Sequence, residues 1–229
     1  MLLASSSTAP VIHYFPIRGR AEAIKLALSA VQQEWEFHPI SDRTEMKTNL
    51  DLYPFAQAPR FVDGEVDMCQ SNAILRFIGN KYNMGANGLA EGALMDMMLD
   101  GVEGMRGKYI ALIYQDKLEG KDAYFQTHIC STTATNGLKN GGAHVIYLEK
   151  LLSRNESTSG WALSAVDPSI VDAALFDITD LHLRIFGEQL AAAAPGLVAH
   201  HAKFAEVAGV KKYLASSRRL PAVNNNGLG

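Results

Sequence analysis

Val11-Ile12-His13-Tyr14-Phe15-Pro16-Ile17-Arg18-Gly19-Arg20 is the stretch on which the fold turns. Its opening residues are β-branched and aromatic, and Pro16 closes the run because proline cannot donate to a ladder. From Arg20 to Val31 the apolar residues Ile24, Ala27, Leu28 and Val31 recur at helical spacing. Trp35 to Ile40 reads as a second strand and Arg60-Phe61-Val62 as a third. Asp63-Gly64 marks a tight hairpin that returns through Glu65 to Cys69. Ser71 to Tyr82 then resumes helical spacing through Ile74, Leu75 and Ile78.

In order, these pieces follow the βαβαββα plan of a thioredoxin-like domain over residues 11–84, with the piece between the second and third strands legible only as loop. Gly85-Ala86-Asn87-Gly88 opens a linker over residues 85–93. Beyond it strand signals fade. Leu94 to Tyr114 carries Met98, Val102, Met105, Tyr109 and Leu112 on one long amphipathic helix. Ala143 to Leu152 and Ile170 to Phe186 give two more helices. The second of these opens on Ser169 with Asp172 three residues on, a capping-box variant, and its Val171, Ala174, Leu175, Ile178, Leu181 and Ile185 share a face. The expected fold class is therefore α+β in two domains, with an all-α helical bundle over residues 94–220. Residues 1–10 read as a frayed tail, and Pro221 to Gly229 as a disordered one.

The 229 residues carry 21 Lys+Arg against 24 Asp+Glu, a net charge of −3 that offers no clustered cations for nucleic acid. Lys211-Lys212 and Arg218-Arg219 read as a solvated face. With 48% apolar residues there is ample material for a core. The apolar helices are interrupted by Asp96, Asp100, Asp172, Asp177 and Asp180, so nothing is expected to span a membrane. Cys69 and Cys130 cannot build a disulfide framework or a zinc site, which points to a reduced, cytoplasmic protein without a metal. The start of the chain lacks the apolar core of a signal peptide, so Asn155-Glu156-Ser157 is treated as a chance match to a glycosylation acceptor. The Met95, Met97, Met98 and Met105 stripe reads as helix packing, and His200-His201 as surface histidines.

No phosphate loop, dinucleotide fingerprint, zinc-protease or serine-hydrolase motif is present, and there is no Cys-x-x-Cys pair. A thioredoxin-like domain without that pair is not a dithiol oxidoreductase. At the end of the first strand, where a cysteine would serve, stands Tyr14.

Tyr14 to Arg20 resembles the first-strand segment of cytosolic glutathione transferases. Ala58-Pro59 ahead of a strand is similar to the family's cis-proline step, and Gln70 to Arg76 to its glutathione-binding turn. Asp100 to Glu103 and Lys108 to Tyr114 look closest to the pi class. The resemblance runs from about Val11 to Tyr213. It implies that Tyr14 donates a hydrogen bond to the glutathione thiolate, the attacking species, with Arg20 in support. It places Gln57, Ala58, Pro59, Gln70 and Ser71 on glutathione, which is a cosubstrate; no metal or organic cofactor is implied. Phe15, Ile17, Ile110 and Tyr114 would wall an apolar pocket for hydrophobic electrophiles, Tyr114 donating to an oxygen on the acceptor. Phe55 would be the aromatic key of a homodimer.

Departures from the pattern accompany the match. The Trp and Lys that grip the glycine carboxylate in pi-like members are not at the expected places in residues 41–53, leaving Arg43 or Lys47. The aspartate that reaches across the dimer falls at Gly104, leaving Asp100 or Glu103. The sequence thus leads to glutathione conjugation in detoxification, with a non-catalytic binding or structural member, or a glutathione-dependent isomerase, as alternatives.

Overall fold

The computed structural model describes residues 9–130, 144–154, 160–163 and 166–229. Most of the N-terminal tail, the acceptor match at Asn155 and the polar run from Ser131 lie outside them. The first domain runs β1 (Val11–Tyr14), α1 (Glu22–Ala30), β2 (Glu36–Pro39), α2 (Arg43–Thr48), β3 (Arg60–Asp63), β4 (Val66–Cys69) and α3 (Ser71–Lys81). Its sheet has the order β2-β1-β3-β4, with β1 parallel to β2 and antiparallel to β3. This is the thioredoxin-like arrangement. The short α2 escapes a periodicity reading, but Asp42 caps it locally by accepting from the Thr44 N–H at 2.7 Å.

The second domain runs α4 (Leu89–Tyr114), α5 (Lys121–Phe125), α6 (Val145–Ser153), α7 (Ile170–Phe186), α8 (Glu188–Ala193), α9 (Pro195–Ala205) and α10 (Ala208–Leu214). Helix α4 begins earlier than the apolar period announces. Its first residue, Leu89, is 96% exposed, while Glu91 folds back to accept from the Asn87 N–H at 2.5 Å. Met95, Met98 and Met105 are core residues, but Met97 is exposed. Helix α7 is buried along nearly all its length and packs against α1, α4 and α9.

Some sequence expectations are corrected by this packing. His200 and His201 are not surface residues, because α9 lies on α7. His200 Nε2 donates to Asp172 at 2.7 Å, and His201 stacks on Phe176 and bonds Asp180 at 3.1 Å. Lys211, Lys212 and Arg218 are exposed as expected, but Arg219 is not part of a solvated face. Arg219 joins Glu22 of α1 at 3.1 Å to Asp180 of α7 at 2.8 Å, and Arg218 covers the Trp35 ring at 3.8 Å. Nor is the segment after Pro221 disordered. The Ala222 carbonyl accepts from Arg18 N–H at 2.9 Å, and Asn224 Nδ2 donates to the Tyr109 hydroxyl at 2.8 Å. Turn-forming composition left that segment without a periodic signal, and most of the hydrogen bonds that tie it to the rest of the protein reach residues more than a hundred positions away.

Helix α10 sits so close to α1 that a Cβ on Gly209 would lie 1.9 Å from the Ser29 carbonyl oxygen. Gly209→Ala is therefore expected to cost about 3 kcal/mol or more, against a usual overpacking range of about 1–3. Gly107 on α4 has nothing within 4 Å of its would-be Cβ. Gly107→Ala is expected to be neutral, or to gain up to about 1 kcal/mol. Thermal melts of the two variants check the contrast.

His182 lies buried on α7. Its Nδ1–H donates to the Ile178 carbonyl at 2.7 Å, so its Nε2 accepts from the Tyr124 hydroxyl at 2.8 Å and the ring is neutral. Burial pushes its pKa down from 6.5 to about 4. The unfolded state then takes up this proton first, so stability is full above pH 6.5 and is lost as pH falls toward 4. Between pH 6.5 and 5 the loss is expected to be about 2 kcal/mol. Asp177, which burial raises to about 6, contributes with the opposite sign below that pH. The measurement is therefore the difference in urea-unfolding slope against pH between wild type and His182→Gln.

Candidate active site

Alternation along β1 sends Ile12 and Tyr14 to the buried side, and Tyr14 is 6% exposed. The chain then reverses through a 3-10 turn at Gly19–Ala21. Gly19 has φ 42°, and a Cβ there would lie 2.5 Å from Tyr14 Oη, so only glycine lets the phenol rest against the turn. The reversal aims the Arg20 backbone N–H at Tyr14 Oη, 3.0 Å away. With its oxygen accepting from the backbone, the phenol keeps its own proton to donate. Burial pushes its pKa up against the pull of that N–H and the Arg20 and Arg106 charges, so the hydroxyl is protonated at neutral pH. It is placed as a donor, not a base.

The Arg20 guanidinium crosses to α4, where Nη1 donates to one Glu103 oxygen at 2.8 Å and Nη2 meets the other at 2.7 Å. Ala58-Pro59 is a cis peptide at the start of β3. Gln70, between β4 and α3, has φ 76° and ψ 107°, a region that costs a non-glycine residue about 1–3 kcal/mol and is concentrated at functional sites. Ser71 follows as the first residue of α3, whose unbonded N–H groups and dipole favour a carboxylate.

Tyr14, Phe15, Arg20, Met46, Lys47, Gln57, Ala58, Pro59, Gln70, Ser71 and Glu103 together line a cleft of about 380 Å³. A smaller cavity of about 90 Å³ shares Tyr14 and Arg20 with it. That cavity is otherwise lined by Ile17, Gly19, Arg106, Tyr109, Ile110, Tyr114, Leu181 and Asn224. Tyr14 and Arg20 thus stand between a polar cleft on the first domain and a mostly apolar cavity against the second.

Seven of the residues expected from sequence (Tyr14, Arg20, Gln57, Ala58, Pro59, Gln70, Ser71) come together in the cleft, and Ile17, Ile110 and Tyr114 in the cavity. Phe15, expected on the apolar wall, lines the cleft instead. It leaves the strand end on the other side from Tyr14 and packs on the Met46, Tyr53 and Cys69 cluster beneath α2. Phe55 touches neither space and is 62% exposed. The Tyr114 hydroxyl accepts from the Asn225 N–H at 3.1 Å, which leaves its proton available. Lys47 lines the cleft and donates to the Ala56 carbonyl at 2.9 Å, whereas Arg43 lies over the Phe15 ring at 5.1 Å.

Met46, Arg106, Tyr109, Leu181 and Asn224 were not foreseen as lining residues. Arg106 left a usable trace, a cation amid the Met98, Val102, Met105 and Tyr109 face and one turn after Glu103. Asn224 left none. Among the described residues, no helix is long and apolar enough to cross a membrane, and no group of His, Cys, Asp and Glu is placed to hold a metal ion.

The chain thus joins a thioredoxin-like sheet, with Tyr14 where redox cysteines would stand, to a helical domain that closes a cavity on that tyrosine, which is the two-domain plan of the glutathione transferases. The profile of the glutathione S-transferase N-terminal domain matches residues 10–80, and that of the C-terminal domain matches residues 104–217. Glutathione S-transferase P of Capra hircus is 32% identical over 219 residues, 94% of this chain and 97% of that protein. Glutathione S-transferase P 1 of Xenopus laevis is 33% identical over 216 residues, 91% of this chain and 93% of that protein. The solved pi-class glutathione S-transferase of Onchocerca volvulus superposes with a TM-score of 0.79 at 26% identity, covering 97% of this chain and all of that one. The chain belongs to the glutathione S-transferase family and is a pi-like enzyme of it.

Proposed function

We propose that the protein conjugates glutathione to hydrophobic electrophiles, a detoxifying reaction, with Tyr14 activating the thiol. The carrying observation is the Tyr14 phenol, buried between the cleft and the cavity, with its oxygen already accepting from Arg20 and its proton free to donate. In this reading the tripeptide lies in the cleft. The γ-glutamyl carboxylate sits at Gln70-Ser71 on the N-terminus of α3, and the cysteinyl unit exchanges backbone hydrogen bonds at Ala58 beside Gln57 and Pro59. Lys47, on the cleft wall, is better placed than Arg43 for the glycine carboxylate.

The thiol loses its proton to solvent, and the Tyr14 O–H donates to the sulfur anion, which favours the charged form. The thiolate then attacks an electrophilic carbon held in the cavity. A carbon–sulfur bond forms, and a leaving group such as halide departs with the bonding pair. In this reading Tyr114 donates to an oxygen of the acceptor. The reading needs glutathione as cosubstrate and no resident metal or organic cofactor.

We take the working form to be a cytoplasmic homodimer. The support for the dimer is the exposed Phe55 on its loop, with Leu94 and Met97 also exposed on α4. Glu103 is held by Arg20 at 2.7 Å, whereas Asp100 is 77% exposed and meets Arg76 at 3.9 Å, so in this reading Asp100 is the acid that reaches a partner's glutathione.

The test is turnover of a chromogenic aryl halide with glutathione. Clear conjugation is expected from the wild type, falling in Tyr14→Phe. Glutathione binding without turnover on any such electrophile would move the binding-only or isomerase reading to the front.

A further inference from the structure

Arg106 on α4 and Asp177 on α7 form a buried ion pair, Nη2 to Oδ2 at 2.7 Å, with side chains 8% and 3% exposed. Two charges withdrawn from water in this way lose solvation that an apolar pair would never need, so the pair is a weak source of stability. Burial raises the Asp177 carboxyl to about 6 against the pull of Arg106, so both partners are charged at neutral pH. Burial works against the Arg106 charge as well, but Asp177 and Glu103 more than offset it and hold the guanidinium above its ordinary value.

The pair's surroundings point to its use. Arg106 lines the cavity that Tyr14 and Arg20 share. One helical turn earlier, Glu103 lies with Oε2 4.0 Å from Arg106 Nε, and it grips Arg20 through both terminal nitrogens. Arg20 in turn gives its backbone N–H to Tyr14 Oη at 3.0 Å. From the interior outward the charges alternate: Asp177, Arg106, Glu103, Arg20. The last pair is about a third exposed, and a water-screened pair holds its geometry weakly unless something behind it is fixed. Arg106, locked between two helices, is that fixed point. The neighbouring His182 is neutral and adds no competing charge.

We propose that Arg106, anchored by Asp177, is a positioning residue for thiol activation: it holds Glu103, and through Glu103 keeps Arg20 set against Tyr14. This rests on the reading of Tyr14 as the thiol-activating donor.

The experiment titrates bound glutathione by the ultraviolet absorbance of its thiolate, on the full chain, for wild type, Arg106→Met, Arg106→Lys, Glu103→Gln and the Arg106→Met/Glu103→Gln double variant. In Arg106→Met the midpoint is expected to rise by roughly one pH unit, meaning about tenfold less thiolate at a fixed lower pH. The pH profile of kcat/KM should move by the same amount while KM for glutathione stays within about threefold. Arg106→Lys, which keeps the charge, should recover part of the shift. The double variant should match Glu103→Gln, because the two residues act in series.

A shifted wild-type thiol with an unshifted Arg106→Met, its activity following only a lower Tm, overturns the proposal alone. An unshifted thiol in the wild type overturns the Tyr14 reading itself. Additive shifts in the double variant overturn the route through Glu103. Should Arg106→Met fail to fold, Glu103→Gln carries the test. Its midpoint must rise, and an unmoved one overturns the proposal.

Discussion

Tyr14→Phe is expected to lower kcat/KM for conjugation at least tenfold at pH 6.5, with glutathione binding nearly unchanged. The substitution keeps the ring in its packed place and removes only the hydroxyl. A hydrogen bond to a charged group contributes about 1.5–3 kcal/mol, and 1.36 kcal/mol corresponds to one pKa unit. The bound thiol should therefore ionise about one to two units higher, leaving roughly ten- to a hundredfold less nucleophile at any pH below its midpoint. The sign makes the effect pH-dependent. The deficit is largest in acid and shrinks as pH rises past the variant's own midpoint, where the thiol ionises unaided. KM for glutathione should hold, because the cleft residues at Gln57, Ala58, Gln70 and Ser71 are untouched. Steady-state rates across pH 6 to 9 check all of this, and equal profiles in the two proteins would remove Tyr14 from the mechanism.

Asp172→Ala is expected to be the most damaging single change to the fold. The carboxylate is fully buried at the first turn of α7. One oxygen accepts from the Ala162 N–H and His200 Nε2, each at 2.7 Å. The other accepts from the Ser169 N–H at 2.7 Å and the Ser169 hydroxyl at 2.8 Å. Alanine strands all of these donors in the interior, and leaving a buried donor unsatisfied costs about 1–3 kcal/mol, so the set together is expected to cost about 3–5 kcal/mol. That is a large share of a total stability of about 5–15 kcal/mol. At about 2–4 °C per kcal/mol for a chain of this size, Tm should fall by about 6 to 20 °C. Because α7 touches both domains, the loss should appear as one cooperative transition at lower temperature. Asp172→Asn keeps one acceptor oxygen and should lose roughly half as much. A melt of Asp172→Ala within 2 °C of wild type would show that α7 does not depend on its cap.

Local pattern in the chain was enough for the sheet and the main helices. Strand alternation at Ile12 and Tyr14, the hairpin signal at Asp63-Gly64 and the apolar face of α7 each depend on neighbours a few residues away. Tyr14, Arg20, the Ala58-Pro59 step and Gln70-Ser71 were legible for the same reason, since each motif is contiguous. What no local window contains is the group lying across a packed interface. Phe15 belongs to the cleft because α2 folds over it. His200 is buried because α9 covers Asp172. Arg106 faces Asp177 from another helix, and the Asn224 amide reaches Tyr109 from a segment with the composition of a loose end. Periodicity says which face of an element is apolar, but burial and pairing of polar groups are settled by which elements meet. The sequence by itself therefore determined the elements and the tyrosine at the centre of the site, while tertiary packing alone decided which charges surround that tyrosine and which segment closes over it.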